Sequence, residues 1–384
     1  MEVDSALVLD FGSSSVKAGW SGEDTPRSLF PSVTTNLKAQ EIRGAREIRR
    51  AESLESCISS INTLDQDVRL THPIQKGKIV DWSAMEKLIE HTFSVELDAF
   101  PESLSAPVLI AESPCIDKAD RAKLCHILFE AFKVSGVCFA NSSVLSLFAS
   151  GRTRGIVLET GAAVSHAVPI FDGFALPHAI LKLEAGGEDV TIALKNLLKR
   201  TGRDLSFLQM RDIKHQLAYC TPIPGNSFAK PDSVYELPDG TTVTINGKAA
   251  SQCADILFDP NNYNIENLDG GMAMMIKKSI ENCDRDLQPD LYDNIVLAGG
   301  TSMIPGFGDR IYNELQSSVP TNCNLSVIPD SKSNEPGYNA QRKNAAWIGG
   351  SIFASLDTFS KVVVSKQEYE DAGSSSNILD RKTV

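Results

Sequence analysis

The most constraining feature of the sequence is a strand–turn–strand pattern that occurs twice, roughly 150 residues apart. In residues 5–19 an apolar run ends at Asp10, a glycine and three serines follow, and a second apolar run begins. Residues 155–168 repeat this order, with Glu159 at the end of the first run and small residues after it. This repeat predicts a duplicated domain in which each copy contains a similar hairpin.

The segments around the two hairpins alternate between strand and helix patterns. Residues 107–111 and 137–139 are short apolar runs typical of buried strands, and residues 117–132 have helical apolar spacing. Asp81 is a candidate helix cap, because apolar residues recur after it at positions 85, 88, 89 and 93. The alternation favours the α/β class with a largely parallel or mixed sheet.

Length and composition limit the function classes. The chain has 384 residues and a net charge of −12, which suits two domains and argues against a general nucleic-acid or anionic-membrane binder. We find neither a signal-peptide pattern nor an apolar run of about 18 residues. The eight cysteines form no CxxC pair, which indicates a reducing intracellular compartment and leaves cytoplasm and nucleus open.

Three turns of small residues follow apolar strands, at residues 10–15, 159–163 and 299–302. Such turns present successive backbone N–H groups, which can hold phosphate oxygens. An acid at the strand end suits a magnesium ion held through water. Two such turns related by an internal repeat, with a third, predict a phosphate clamp between two domains.

Longer stretches resemble actin and the actin-related proteins over nearly the whole chain. They are residues 10–13, 16–19, 82, 85–87, 91–93, 144–153, 173–180, 235–240, 299–301, 347–352 and 366–370. The resemblance implies an actin-like ATPase fold of the α/β class, with two lobes, a duplicated mixed-sheet core in each, and a nucleotide cleft between them. It places the small lobe at residues 1–144 and 343–384, with a mobile outer subdomain at 33–72. The large lobe would span 145–342, with an outer subdomain at about 187–272.

The resemblance also assigns residues that would bind ATP or ADP with Mg²⁺. Asp10 matches the position that holds the metal through water, and the other matching positions are Ser13, Ser14, Lys17, Glu159, Thr160, Gly161, Gly187, Arg211, Lys214, Gly300, Thr301, Met303 and Lys343.

Several positions depart from the actin pattern where hydrolysis takes place. A glutamine that helps to position the attacking water is replaced by Ser142, which is too short to reach it. An aspartate is replaced by Glu159, whose extra methylene displaces the carboxylate. The second turn has Ala162 and Ala163 in place of Asp and Gly, while His166 matches a histidine near the water. His215 and Ile304 stand in place of a ribose-contacting glutamate and an aromatic residue near the adenine. We therefore expect no ATP hydrolysis, and a bound nucleotide would stabilise the protein as a static ligand.

The filament surfaces of the family differ here as well. The loop at 33–62 is basic and lacks an apolar tip, and residues 262–265 place asparagines where an apolar plug is needed. The apolar cleft that actin uses for partner helices is kept, at Phe148, Gly151, Phe174, Phe353, Leu356 and Thr358. These residues fit either an amphipathic partner helix or an ordinary core.

The leading hypothesis is a non-filament subunit of a multiprotein assembly, in a chromatin-remodelling or a cytoskeletal, dynein-linked complex. It predicts protein partners, with no membrane, no sequence-specific nucleic acid and no homofilament. The alternative is a polymerising actin-like cytoskeletal ATPase. A sugar kinase or chaperone ATPase is disfavoured by the actin-like stretches around Pro177 and Trp347.

Overall fold

The computed structural model describes residues 5–35, 70–99, 105–199, 205–223, 230–237, 240–263, 270–329 and 336–371. The strands in these ranges are β1 (Leu7–Phe11), β2 (Ser15–Trp20), β3 (Ser28–Pro31), β4 (Thr34–Thr35), β5 (Leu70–Thr71), β6 (Ile74–Gln75), β7 (Lys78–Ile79), β8 (Val108–Glu112), β9 (Gly136–Asn141), β10 (Gly155–Thr160), β11 (Ser165–Phe171), β12 (Phe174–Ala175), β13 (Leu181–Leu183), β14 (Ser233–Glu236), β15 (Thr242–Ile245), β16 (Ile295–Ala298), β17 (Val327–Ile328) and β18 (Val364–Ser365).

The α-helices are α1 (Trp82–His91), α2 (Lys118–Glu130), α3 (Ser142–Ala149), α4 (Gly187–Leu198), α5 (Phe207–Leu217), α6 (Gly247–Gln252), α7 (Met272–Glu281), α8 (Gln288–Tyr292), α9 (Phe307–Gln316), α10 (Pro336–Gln341), α11 (Ala345–Ala354) and α12 (Lys366–Asp371). A π-helix covers Thr92–Glu96, and short 3₁₀ helices cover Pro177–Ala179, Cys253–Leu257, Pro260–Tyr263, Gly300–Met303, Arg342–Asn344 and Phe359–Lys361.

The chain divides into two compact units, one formed by residues 1–152 and 344–384 and the other by residues 153–343. The first boundary between the two units falls after residue 152, beyond the end of α3. The boundary expected from the sequence, at residue 144, lies within that helix. The reason is the contact between α3 and α11. A Cβ added at Gly349 of α11 would lie only 1.7 Å from the carbonyl oxygen of Leu145, so the two helix backbones touch. This contact fixes α3 in the first unit.

The first unit is built on a six-stranded sheet in the order β18-β9-β8-β1-β2-β3. Side chains alternate along β1: Leu7 and Leu9 pack with residues of α1 and α2, whereas Val8 packs with α3 and α11. The predicted cap at Asp81 is confirmed, because its Oδ1 accepts a hydrogen bond of 2.9 Å from the N–H of Ala84. This unit is therefore a sheet covered on both faces by helices.

The second unit repeats the central topology of the first. Its sheet has the order β12-β11-β10-β16-β17, with β13 paired to β11. In each unit the opening hairpin is antiparallel, β1 with β2 and β10 with β11, and its first strand pairs in parallel with a later strand, β8 or β16. The predicted internal repeat and the α/β class are confirmed.

Some predictions fall outside the described residues. The proposed outer subdomain at 33–72 is described only at its two ends, and the plug region at 262–265 has no described side chains. Among the helices of the described ranges, none is long and apolar enough to cross a membrane. The seven cysteines in these ranges are free thiols.

Candidate nucleotide site

The first turn lies in the first unit and joins β1 to β2. Asp10 and Lys17 face each other across the hairpin, and Lys17 Nζ donates to Asp10 Oδ2 at 2.8 Å. The two side chains are only 13% and 15% exposed, respectively. The turn is closed by the Gly12 N–H, which donates to the Ser15 carbonyl at 3.1 Å. In the described part of the chain the N–H groups of Ser13 and Ser14 have no acceptor, so they are available to an anion.

The second turn lies in the second unit and joins β10 to β11. It has the same closure, with the Gly161 N–H donating to the Val164 carbonyl at 2.9 Å. The carbonyl of Gly161 accepts from the Gly187 N–H at 3.1 Å and from the Thr301 hydroxyl at 2.7 Å. The Ala162 carbonyl accepts from the Glu188 N–H at 2.7 Å. The start of α4 and the third turn therefore hold the second turn in place by donating hydrogen bonds to its backbone carbonyls.

The third turn follows β16 and requires glycine at its first position. Gly299 has φ +86°, and a Cβ there would lie 2.3 Å from the carbonyl oxygen of Thr160. A Cβ at the next residue, Gly300, would meet no atom within 4 Å. The turn is thus pressed against β10 at Gly299 and open at Gly300, which leaves space for a ligand beside its backbone.

A group of cations lies on α5 and just after α10. Lys214 is 7% exposed, its Nζ donates to the Gly187 carbonyl at 2.8 Å, and burial together with the nearby Arg211 lowers its pKa to about 8. Partial desolvation and the charges of Lys214, Arg211 and Lys343 lower the pKa of His215 to about 4. Within the described residues none of Arg211, Lys214 and Lys343 forms an ion pair, and Arg211 Nε is buried without a hydrogen-bond partner. This group therefore suits an anionic ligand.

Two candidate catalytic residues occupy buried positions. Ser142 is the first residue of α3, which Asn141 caps by accepting from the Ser143 N–H at 2.9 Å. His166 lies opposite Glu159 in the hairpin and opposite Lys182 of β13. Burial and the positive charge of Lys182 lower the pKa of His166 to about 4, so the ring is neutral at pH 7. Its Nε2 has no partner among the described residues, so it is free to bind a ligand or water.

The predicted partner cleft is divided between the units. In the first unit the rings of Phe148 and Phe353 stack with centroids 6.1 Å apart, Leu356 is 48% exposed, and Gly151 and Thr358 are at the surface. Phe174 belongs to the second unit and is 68% exposed after a turn with positive φ at Asp172 and Gly173.

Sequence reasoning missed several residues of these surfaces. Ile352 is exposed one helical turn before Leu356, and this spacing was the signal that could have found it. Arg342 and Gly186 support the nucleotide residues through contacts that no local pattern indicates. A Cβ on Gly186 would lie 2.6 Å from the Ala162 carbonyl oxygen.

The structure brings the predicted residues together in two groups. Asp10, Ser13, Ser14 and Lys17 form one group in the first unit. In the second unit Gly161, Gly187, Lys214 and Thr301 are linked through hydrogen bonds to the Gly161 and Gly187 carbonyls. Glu159 and Thr160 end the strand before this network.

Comparison with known proteins matches the whole chain. The actin family model matches residues 1–222 and 208–384. A full-length relative is the protein named "Putative actin-29" of Dictyostelium discoideum, which is 35% identical over 397 aligned residues, covering 99% of this chain and 97% of that protein.

Proposed function

Because this chain belongs to the actin family, we propose that it is a non-filament structural subunit of a multiprotein assembly. It holds ATP or ADP with Mg²⁺ as a static ligand and binds a partner helix on its apolar surface. The assembly is a chromatin-remodelling complex or a cytoskeletal, dynein-linked complex.

The observation that carries the nucleotide part is the unpaired cation group of the second unit. Within the described residues Arg211, Lys214 and Lys343 form no ion pair, and the nearby Glu188 and Asp189 offset only part of the desolvation of Lys214. Cations near one another repel, and partly buried ones lose solvation. A polyphosphate ligand supplies the missing negative charge. In the second unit the open backbone beside Gly300 also fits a nucleotide. In the first unit the N–H groups of Ser13 and Ser14 can donate to an anion. Asp10 would hold the metal through water, since a carboxylate paired with Lys17 keeps further acceptor sites.

The side chains at the hydrolytic positions support a static role for that nucleotide. Ser142 is fixed by its place in the first turn of α3, and its hydroxyl extends only one bond beyond Cβ. Ala163 is buried and brings a methyl group into the second turn, where close approach of the backbone favours glycine. A serine hydroxyl and a methyl group are poorer groups for positioning an attacking water than a glutamine amide or an aspartate, so they support a static nucleotide.

The exposed part of the apolar cleft supports the partner role. In the first unit the rings of Phe148 and Phe353 stack, and Ile352 and Leu356, on either side of Phe353 in the sequence, are exposed. We propose that these four side chains form one apolar face. An amphipathic helix places apolar side chains every three or four residues and matches such a face. Burying this face would remove apolar area from water at about 25 cal/mol per Å².

A second candidate is a polymerising actin-like cytoskeletal ATPase. It is favoured by His166, whose neutral ring and unpartnered Nε2 suit contact with a water molecule. The full-length similarity to a protein named as an actin also favours it.

One set of measurements separates the two candidates. Purified protein is stripped of nucleotide with a chelator, returned to Mg²⁺ with ATP, and followed by thermal unfolding, phosphate release and sedimentation. The static subunit is expected to gain several degrees in Tm, because a ligand that binds only the folded state stabilises it. It should release no phosphate beyond a single turnover and should stay in the supernatant. Sustained release or sedimenting filaments would establish the second candidate, and an unchanged Tm would remove the nucleotide from the proposal.

The partner role is tested by affinity purification from the native cell with mass spectrometry, which also decides between chromatin and cytoskeletal complexes. Leu356→Asp is expected to lose the partner proteins because it places a charge in the apolar face. Leu29→Asp is the matched control, since Leu29 is similarly exposed in the same unit but lies on β3. Equal recovery of partners with both variants would contradict a role for the cleft.

A further inference from the structure

Arg342 is a buried cation whose contacts are directed at the third turn. The residue is 9% exposed, and within the described residues it forms no ion pair. Nε donates to Ser302 Oγ at 3.1 Å and Nη2 donates to the Ser302 carbonyl at 2.7 Å. The backbone carbonyl of Arg342 in turn accepts from the Gly299 N–H at 3.1 Å. Arg342 therefore holds both ends of the turn.

The rest of the guanidinium is fixed from α10. Nη1 donates to the carbonyl and to the side-chain oxygen of Asn339. One residue earlier, the Tyr338 hydroxyl donates to the Leu297 carbonyl at 2.9 Å, at the end of β16. The segment from Tyr338 to Arg342 thus supports the strand end and the turn that follows it.

The supported turn carries predicted ligand contacts on its other side. Gly300 is open, and the Thr301 hydroxyl donates to the Gly161 carbonyl, which belongs to the second turn. Lys343 follows Arg342 directly and is exposed. A shift of Arg342 would therefore displace Gly300, Thr301 and Lys343 together.

Burying an arginine without a carboxylate is unfavourable, so its contacts have to recover the lost solvation. All the hydrogen bonds described for this guanidinium go to the turn or to Asn339. A fork of fixed N–H groups suits this role, because lysine cannot reach Ser302 and Asn339 at the same time.

We propose that Arg342 is a positioning residue of the nucleotide site, which holds the Gly299–Met303 turn and Lys343 in the arrangement that binds the nucleoside. This inference rests on the proposed nucleotide binding and goes beyond it by assigning a residue that does not itself touch the ligand.

The test compares Arg342→Lys with Arg310→Lys. Arg310 is also buried in the same unit, but it bonds to Glu314, Asp255 and Thr221, away from the turn. We expect R342K to raise the Kd for ADP about tenfold, as expected for losing hydrogen bonds to a charged group. R310K should lower Tm and leave the Kd unchanged. Equal effects of the two variants on the Kd would overturn the proposal, because the loss would then follow general destabilisation.

A double-mutant cycle with Ser302→Ala provides a second readout. If Arg342 acts through Ser302, the two substitutions together should raise the Kd by less than the product of their separate effects. Full additivity would contradict this route. Should R342K fail to fold, S302A carries the test alone, because it removes a single hydroxyl.

Hydrogen exchange of nucleotide-free protein keeps this inference separate from the proposed function. R342K is expected to speed exchange in a peptide covering residues 299–304, while peptides of β10 and β16 stay unchanged. Unchanged exchange at 299–304 would refute the positioning role. If the wild-type chain binds no ADP, the nucleotide part of the proposed function fails, and this exchange measurement decides the role of Arg342 in holding the turn.

Discussion

The two hairpin turns of this protein have the same backbone arrangement and different side chains. Asp10 pairs with Lys17 in one and Glu159 with His166 in the other, and each turn closes with a hydrogen bond from a glycine N–H to the carbonyl three residues later. In the first hairpin the facing residues form an ion pair, and Ser13 and Ser14 lie in the turn. In the second hairpin the facing residues are a half-buried glutamate and a neutral buried histidine, and Ala162 and Ala163 lie in the turn.

This difference shows which properties the hairpin geometry requires. Strand pairing and the closing hydrogen bond are made by the backbone, so they tolerate a change of side chain beside them. Phosphate and metal chemistry depends on the side chains and on close approach, so the same change alters it. The second unit therefore keeps the backbone arrangement of the repeat with different side chains in its turn, and we propose that these changes remove groups needed for hydrolysis.

The largest expected effect comes from the ion pair of the first turn. Lys17→Met leaves the nearly buried Asp10 carboxylate without its partner. We expect the free energy of unfolding of the nucleotide-free protein to fall by about 3–4 kcal/mol. Urea denaturation measures this loss. The double variant D10N/K17M should recover part of it. A loss below about 1 kcal/mol for K17M would show that solvent already screens the pair.

The histidine of the second turn predicts that stability depends on pH. Folding lowers the pKa of His166 from 6.5 to about 4, so below pH 6.5 the unfolded chain binds a proton that the folded chain does not. The stability that His166 contributes is fully present above pH 6.5 and is lost as the pH falls. Near pH 4 the free energy of unfolding should be lower by about 3 kcal/mol. Denaturation of wild type and His166→Gln between pH 7 and 4 gives the free energy of unfolding of each against pH. We expect the wild type to lose more stability toward pH 4 than the variant, and parallel profiles would contradict the prediction.

A matched pair of substitutions compares the space inside the two turns. A Cβ on Gly12 would lie 2.9 Å from the Ser15 carbonyl oxygen, whereas one on Gly161 would lie at an ordinary 3.4 Å from that of Val164. We expect Gly12→Ala to lower the free energy of unfolding by about 2 kcal/mol and Gly161→Ala to lower it by less than about 0.5 kcal/mol. Chemical denaturation of both variants without nucleotide measures the difference. Equal losses would mean that the turns are equally tight.

The smallest expected effect concerns the methyl group of Ala163. Ala163→Gly opens the second turn to backbone contact with phosphate, and we expect the Kd for ATP to fall about threefold, which corresponds to less than 1 kcal/mol. Calorimetric titration with Mg²⁺ and ATP measures this affinity. An unchanged or weaker affinity would show that the methyl group does not limit access.

Local patterns predicted much of the fold, since strand alternation, the Asp81 cap and the small-residue turns depend on neighbouring residues. They also placed Asp10 and Glu159 at the ends of the first strands of the two hairpins. They did not predict that α3 belongs wholly to the first unit, because that depends on the contact of Gly349 with Leu145, residues far apart in the sequence. Arg342 was missed for the same reason, since its partner Ser302 lies 40 positions earlier.

The sequence by itself determined the repeat, the α/β class and the residue types at the turns, because these follow from local periodicity and composition. Only the tertiary structure decided that Thr301 and Gly187 both meet the Gly161 carbonyl, that His166 is buried with a free Nε2, and that Arg211 and Lys214 of α5 form no ion pair within the described residues. Such contacts depend on how distant segments pack, and the same residue types could be exposed and solvated in another packing.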